Sequence, residues 1–176
     1  MNIVHVCYGC IRVFKEAIAL QAKRHRVNVW ALTMERVPPF GPERVPFNLF
    51  HRGELQAMVK RSKADVFHCH NEPDWFVREV ADAADGRPVI FDVHDLASMR
   101  HDNGPDHDEL EAFVRASGVV HVSEWIRADA ERIHGARKPT LVLPCDSALG
   151  RFSVEAAMIV DKPVSVRATA PAAAVK

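Results

Sequence analysis

Four hydrophobic stretches, rich in β-branched residues, stop abruptly at polar clusters: residues 3–7 before Tyr8-Gly9, 65–69 before His70-Asn71-Glu72, 88–93 before His94-Asp95, and 119–122 before Ser123-Glu124. Strands covered on both faces show nearly unbroken apolar runs, so the pattern predicts a parallel sheet. Ligands of such sheets collect beyond the carboxyl ends of the strands, where these polar clusters fall. Between the runs the period changes. Val13, Ile18 and Leu20 with Ala17 and Ala22 give an apolar helical face, opposite Arg12, Lys15, Glu16 and Lys23. Further strands are predicted over residues 27–33, near 46–50 and over 140–143, and helices over 53–62, 74–84, 108–116 and 124–133. Pro38, Pro39, Gly41 and Pro42 make residues 37–45 a loop, and Asp85-Gly86 a turn. Strand alternating with helix implies right-handed crossovers and an α/β fold: a doubly wound, mostly parallel sheet with helices on both faces.

Composition narrows the class. With 176 residues, 48% of them hydrophobic, the chain suffices for one such domain. Its 23 basic and 23 acidic residues cancel, leaving ten histidines aside, so no overall field favours nucleic acid, and association with a membrane surface stays open without being indicated. No stretch approaches the ~20 apolar residues of a membrane span. The chain enters its first strand without a basic leader, and a cytoplasmic location is expected. Cys7, Cys10, Cys69 and Cys145 are too few for a disulfide scaffold and are expected as thiols.

Two chemistries compete locally. Cys7-Tyr8-Gly9-Cys10 places a Cys-x-x-Cys where a strand gives way to a helix, the position of a thiol–disulfide redox pair. Against it, the alternating pattern contains no antiparallel hairpin of the thioredoxin type. Alternatively, His68, His70, Glu72, His94 and Asp95 could gather at adjacent strand ends around a divalent ion. Spacing fixes no ligand geometry there, and no metal is expected.

Several segments carry a family resemblance. Asn2-Ile3-Val4-His5-Val6 followed by a glycine turn and Arg12, Ala64-Asp65-Val66-Phe67-His68-Cys69-His70, Pro88-Val89-Ile90-Phe91-Asp92-Val93-His94-Asp95, and Ala116-Ser117-Gly118-Val119-Val120-His121-Val122-Ser123-Glu124 occur in order, with Leu143-Pro144 and Arg151-Phe152 behind them. Together they resemble the N-terminal, acceptor-side half of the GT-B glycosyltransferases of the family 4 type, over residues 1–152. The resemblance implies a Rossmann-like domain. It also implies transfer of a sugar from a nucleotide sugar, with retention at the anomeric carbon, to a sugar or glycolipid acceptor. The nucleotide sugar is a donor substrate, and no resident cofactor is expected.

The same resemblance nominates site residues. His94 corresponds to the family's histidine beside the reacting sugar carbon, and is the candidate catalytic residue; otherwise it caps its strand. Gly9 and Arg12 are candidates for a diphosphate, since amides at a helix N-terminus suit anions. Here a single glycine, flanked by Tyr8 and Cys10, stands where the family usually has two, and a plain strand-to-helix turn is the other reading. His70, Glu72, Asp95, Ser123 and Glu124 are candidates for the acceptor cleft. Asp95 either fixes the His94 tautomer or caps the next turn, Ser123 and Asp74 also read as N-caps, and His68 reads as a core histidine.

A GT-B enzyme needs a second domain for the nucleotide, and residues 153–176 are too short to supply it. After Glu131 one glutamate remains, Glu155, so the paired glutamates of a donor domain are missing from this stretch. The expectation is a domain over 1–152 and an extension over 153–176. A donor-domain polypeptide or a second copy of the chain is the candidate partner.

Overall fold

The computed structural model describes residues 1–8, 13, 20, 21, 23–32, 46–71, 73–100, 106–135 and 138–143. Seven strands, β1 (Asn2–Cys7), β2 (Arg26–Leu32), β3 (Phe47–Phe50), β4 (Val66–His70), β5 (Val89–Val93), β6 (Gly118–His121) and β7 (Thr140–Val142), form one sheet. Their order is β3-β2-β1-β4-β5-β6-β7, and every pairing is parallel. The winding reverses between β1 and β4, which makes that pair the topological switch point. Helices α1 (Leu55–Arg61), α2 (Trp75–Ala83), α3 (Ala97–Arg100), α4 (His107–Arg115) and α5 (Glu124–His134) connect the strands, with one 3-10 turn, Arg52–Glu54, before α1. The α/β expectation holds. Strand four, however, runs one residue further than expected and takes in His70, and the short helix α3 was not foreseen. The loop over 37–45, Cys10, Cys145 and the extension over 153–176 lie outside the described residues.

The two sheet faces differ. Val4, Val6, Phe67, Cys69, Phe91, Val93 and Val119 point to one face, where they meet Leu55 and Val59 of α1, Phe76 and Val80 of α2, Ala112 and Phe113 of α4, and Ile126 and Ala130 of α5 in a single core. This core dominates stability: each fully buried Phe or Leu contributes about 1.5–3 kcal/mol. On the other face the apolar packing splits. Ile3, Cys7, Val27, Val29 and Ala31 pack with Val13 and Leu20, while Val66, Ile90, Val120 and Leu143 form a separate cluster. Between them the strand alternation places His5, His68, His70 and Asp92, all buried. The parallel register sets His5 beside His68 and His70 beside Asp92.

Buried polar clasps hold the helices to the main core. Glu109 on α4 accepts from the Ser98 hydroxyl at 2.7 Å and amide at 3.2 Å, and bonds His134 of α5, so one carboxylate ties α3, α4 and α5. Burial raises its pKa, but the hydrogen bonds from His134 and Ser98 outweigh this and hold it below the ordinary glutamate value. His121 stacks on Phe113, and burial, then the Arg127 charge, push it down to about 4. Ahead of β5, the Arg87 guanidinium donates to Ala84 O at 2.6 Å, Ser62 O at 3.1 Å and Val59 O at 3.0 Å, and lies 4.9 Å over the Phe67 ring. It thereby satisfies carbonyls at the carboxyl ends of both α1 and α2, where a cation is favoured.

Charged hydrogen bonds of this kind are worth about 1.5–3 kcal/mol, so Arg87→Ala is expected to lower the unfolding free energy by about 2–3 kcal/mol in urea titrations followed by circular dichroism. Arg87→Lys should recover less than half of that loss, because an ammonium lacks the planar fork. Full recovery by lysine would mean that charge alone matters.

Candidate functional site

The carboxyl edge of the sheet is built around Asp92. A buried carboxylate needs partners, and three imidazoles converge on its Oδ2: His70 Nδ1 at 2.9 Å, His94 Nε2 at 3.3 Å and His68 Nε2 at 3.7 Å. The His70 contact is an ion-pair approach rather than an aligned hydrogen bond. Behind His70, its Nε2 lies 2.9 Å from His5 Nδ1. The His70 ring stacks on those of His68 and His5, at 4.5 and 5.2 Å, and the His5 and His68 rings lie tilted 4.9 Å apart. Burial first, and the neighbouring His68 and His70 next, push the His5 pKa well below its ordinary value, so this imidazole is neutral.

His94 is the member that reaches water, with 26% of its side chain exposed. Its placement comes from two sides. Asp92 holds the ring, and Asn71, the first residue after β4, accepts from the His94 amide at 3.0 Å. The Asn71 amide group in turn donates to the Asp95 carbonyl and carboxylate, both at 2.9 Å. One asparagine therefore splints the loop after β4 to the loop after β5.

The other sequence candidates fall as follows. His70 is buried within β4 and lies beneath the edge rather than lining open cleft. His68 is buried as expected, yet it belongs to the polar cluster and not to the apolar core. Asp95 faces Asn71 and Arg100, at 3.6 Å from the guanidinium, and shapes the loop; the His94 ring is held by Asp92 instead. Ser123 is the N-cap of α5, accepting from the Ile126 amide at 3.1 Å, and Glu124 pairs with Arg127 in the exposed first turn. The helix accounts for both. Asp74 stands at the N-cap position of α2, as expected, but its side chain makes no cap hydrogen bond. Gly9, Arg12 and Glu72 lie outside the described residues.

Sequence reading passed over His5, Asn71 and Asp92. The signal for His5 and Asp92 was a polar residue interrupting an otherwise apolar strand. Cys7 is fully buried in β1, and burial first, then Cys7, raise the Cys69 thiol, which points to the main core. Cys10, the other member of the Cys-x-x-Cys, lies outside the described residues, and the all-parallel sheet has no thioredoxin hairpin among the described residues. A cleft of about 460 Å³ lies at the opposite, amino edge of the sheet, beside Asn2, Arg26, Asn48, Arg61 and Lys63, away from the histidines.

A doubly wound parallel sheet with its polar cluster at the carboxyl edge defines a Rossmann-like domain. The family model described as Glycosyltransferase Family 4 matches residues 11–145, and the chain belongs to that family. Among solved structures, sucrose-phosphate synthase from Thermosynechococcus elongatus superposes with a TM-score of 0.66 at 14% identity, over 91% of this chain and 97% of that one. At that identity the likeness speaks for the fold. A comparison with curated proteins found no match. Among the described residues, no helix is long and apolar enough to cross a membrane.

Asp74 offers a check on the electrostatics beside the site. Burial, then the Glu109, Asp106, Asp95 and Asp108 charges, raise it to about 7, and its Oδ1 is buried without a hydrogen bond. A carboxyl whose folded pKa is raised binds protons that the unfolded chain releases, so stability falls as pH rises from about 4 to about 7. Asp74→Asn is expected to flatten that fall and to raise stability at pH 8 by about 1–2 kcal/mol. An unchanged pH profile in thermal melts would show that Asp74 titrates normally.

Proposed function

We propose that this chain is the acceptor-side half of a retaining, nucleotide-sugar-dependent glycosyltransferase. It holds a sugar or glycolipid acceptor in the cleft beyond β1, β4 and β5 and presents His94 to a donor sugar bound by a second, donor-binding domain. That domain is supplied by further chain or by another polypeptide. The observation that carries the reading is the position of His94. It follows a central strand beside the switch point, is partly exposed, and is fixed at its amide by Asn71 and at its ring by Asp92.

The chemistry follows from that fixing. A neutral His94 that donates from Nε2 to Asp92 carries its lone pair on Nδ1, which can accept from a sugar hydroxyl close to the anomeric carbon. The Asp92 carboxylate polarises the imidazole, so that Nδ1 turns its negative end toward the sugar as the sugar becomes cation-like, an electrostatic contribution set up before the reaction begins. The departing diphosphate carries away the bond electrons and meets cationic and amide groups of the donor domain, and the acceptor oxygen takes its place on the same face of the sugar, its proton passing to the departing diphosphate oxygen. The nucleotide sugar is thus consumed as a substrate.

In an assay where a family donor-binding domain is fused to the chain, His94→Ala is expected to reduce transfer at least about 100-fold while changing the unfolding free energy by less than about 1 kcal/mol, as for most partly exposed positions. Transfer at the wild-type rate by that variant would remove His94 from the reaction.

A further inference from the structure

We propose that His70, Asp92 and His94 form a binding site for a divalent d-block cation, with His5 as the residue that positions His70. This goes beyond the glycosyltransferase reading and stands without it. His70 Nδ1, Asp92 Oδ2 and His94 Nε2 all lie within 4.8 Å of one another. The two contacts to Oδ2, 2.9 and 3.3 Å, lie below and at the spacing of a ligand cage. Zinc–ligand bonds of about 2.0–2.1 Å place tetrahedral ligand atoms about 3.3 Å apart.

Orientation points the same way. His70 Nδ1 lies 2.9 Å from Asp92 Oδ2 without a hydrogen bond, so a cation seated between them displaces none at that nitrogen. For Nδ1 to ligate, the His70 proton must sit on Nε2, and His5 Nδ1 is 2.9 Å away to accept it. A ligating imidazole whose other nitrogen is held by a neighbour is the usual support of metal sites.

The donor set selects the cation. Two imidazoles and one carboxylate suit Zn²⁺, Co²⁺, Ni²⁺ or Cu²⁺, whereas Mg²⁺ and Ca²⁺ prefer all-oxygen surroundings. Three protein ligands leave a coordination position open, and the partly exposed His94 ring marks the side from which solvent reaches it. Because the cation takes His94 Nε2, that imidazole cannot at the same time keep its hydrogen bond to Asp92, so occupancy redirects the ring that the transfer reaction uses.

The test uses the full chain, stripped with chelator and exchanged into metal-free buffer. Titration with Zn²⁺ by calorimetry is expected to show one site in the sub-micromolar range, and Co²⁺ to give visible bands of a low-symmetry, four- or five-coordinate complex. His94→Asn should weaken Zn²⁺ at least about 100-fold and abolish the Co²⁺ bands, and His5→Gln should weaken it about 10–100-fold. His107→Gln, on the exposed face of α4, should change neither. Circular dichroism checks that each variant is folded, and because His94 is partly exposed its variant carries the test if changes at the buried positions unfold the chain. No saturable heat and no Co²⁺ bands, or binding that His94→Asn leaves intact, would overturn the proposal. Neither outcome depends on sugar transfer, so the two readings fail separately.

Discussion

A carboxylate in the middle of a parallel strand, with 1% of its side chain exposed, constrains everything around it. Removing an ion of that size from water costs several kcal/mol even after the protein relaxes, so Asp92 is tolerated only with partners close by. Those partners have to come from the neighbouring strand. The register that sets His70 beside Asp92 supplies one, the alternation along β4 supplies His68 two residues earlier, and the chain leaving β5 supplies His94. A slip of one residue between β4 and β5 would turn these groups to opposite faces and leave the carboxylate in an apolar core. The polar cluster therefore specifies the pairing as well as the site.

The same cluster explains the asymmetry of the sheet. One face is a continuous apolar layer on which α1, α2, α4 and α5 pack, and its clasps, Arg87 and Glu109, close carbonyls and charges that helix ends would otherwise bury unpaired. The other face is divided by imidazoles into two small apolar clusters. Stability is concentrated on the first face, and chemistry on the second. His94 gains from this arrangement: a rigid strand beneath it, an asparagine across from it, and an anion behind its ring, which together fix an imidazole at the edge where a ligand of a doubly wound sheet binds.

Much of the fold was legible in the sequence because apolar runs and helical periods report burial directly. Strand ends were placed within a residue or so, and Asp85-Gly86 marked its turn, where both residues adopt positive φ. The place of His94 at a strand's carboxyl end was legible too, from the apolar run before it, while its candidacy as a catalytic residue came from the family resemblance. What escaped were groups whose role depends on a partner in another strand. His5 and His68 are more than sixty residues apart in sequence and adjacent only through the register of β1 and β4. Asp92 read as one polar residue within a strand, and Asn71 as one residue of a polar turn, because nothing local says that the two loops meet. Ser123 was legible as a cap for the opposite reason, since its partner lies three residues away.

The central claim is that Asp92 and His70 act as a unit in holding the carboxyl edge together. A double-mutant cycle on unfolding free energy at pH 7, with Asp92→Asn, His70→Gln and the pair, measures it directly. Groups in one buried network couple by about 0.5–3 kcal/mol, and the account predicts at least about 1 kcal/mol here, the second change costing much less once the first is made. Additivity within about 0.3 kcal/mol would mean that the two residues are independent, and would contradict the account.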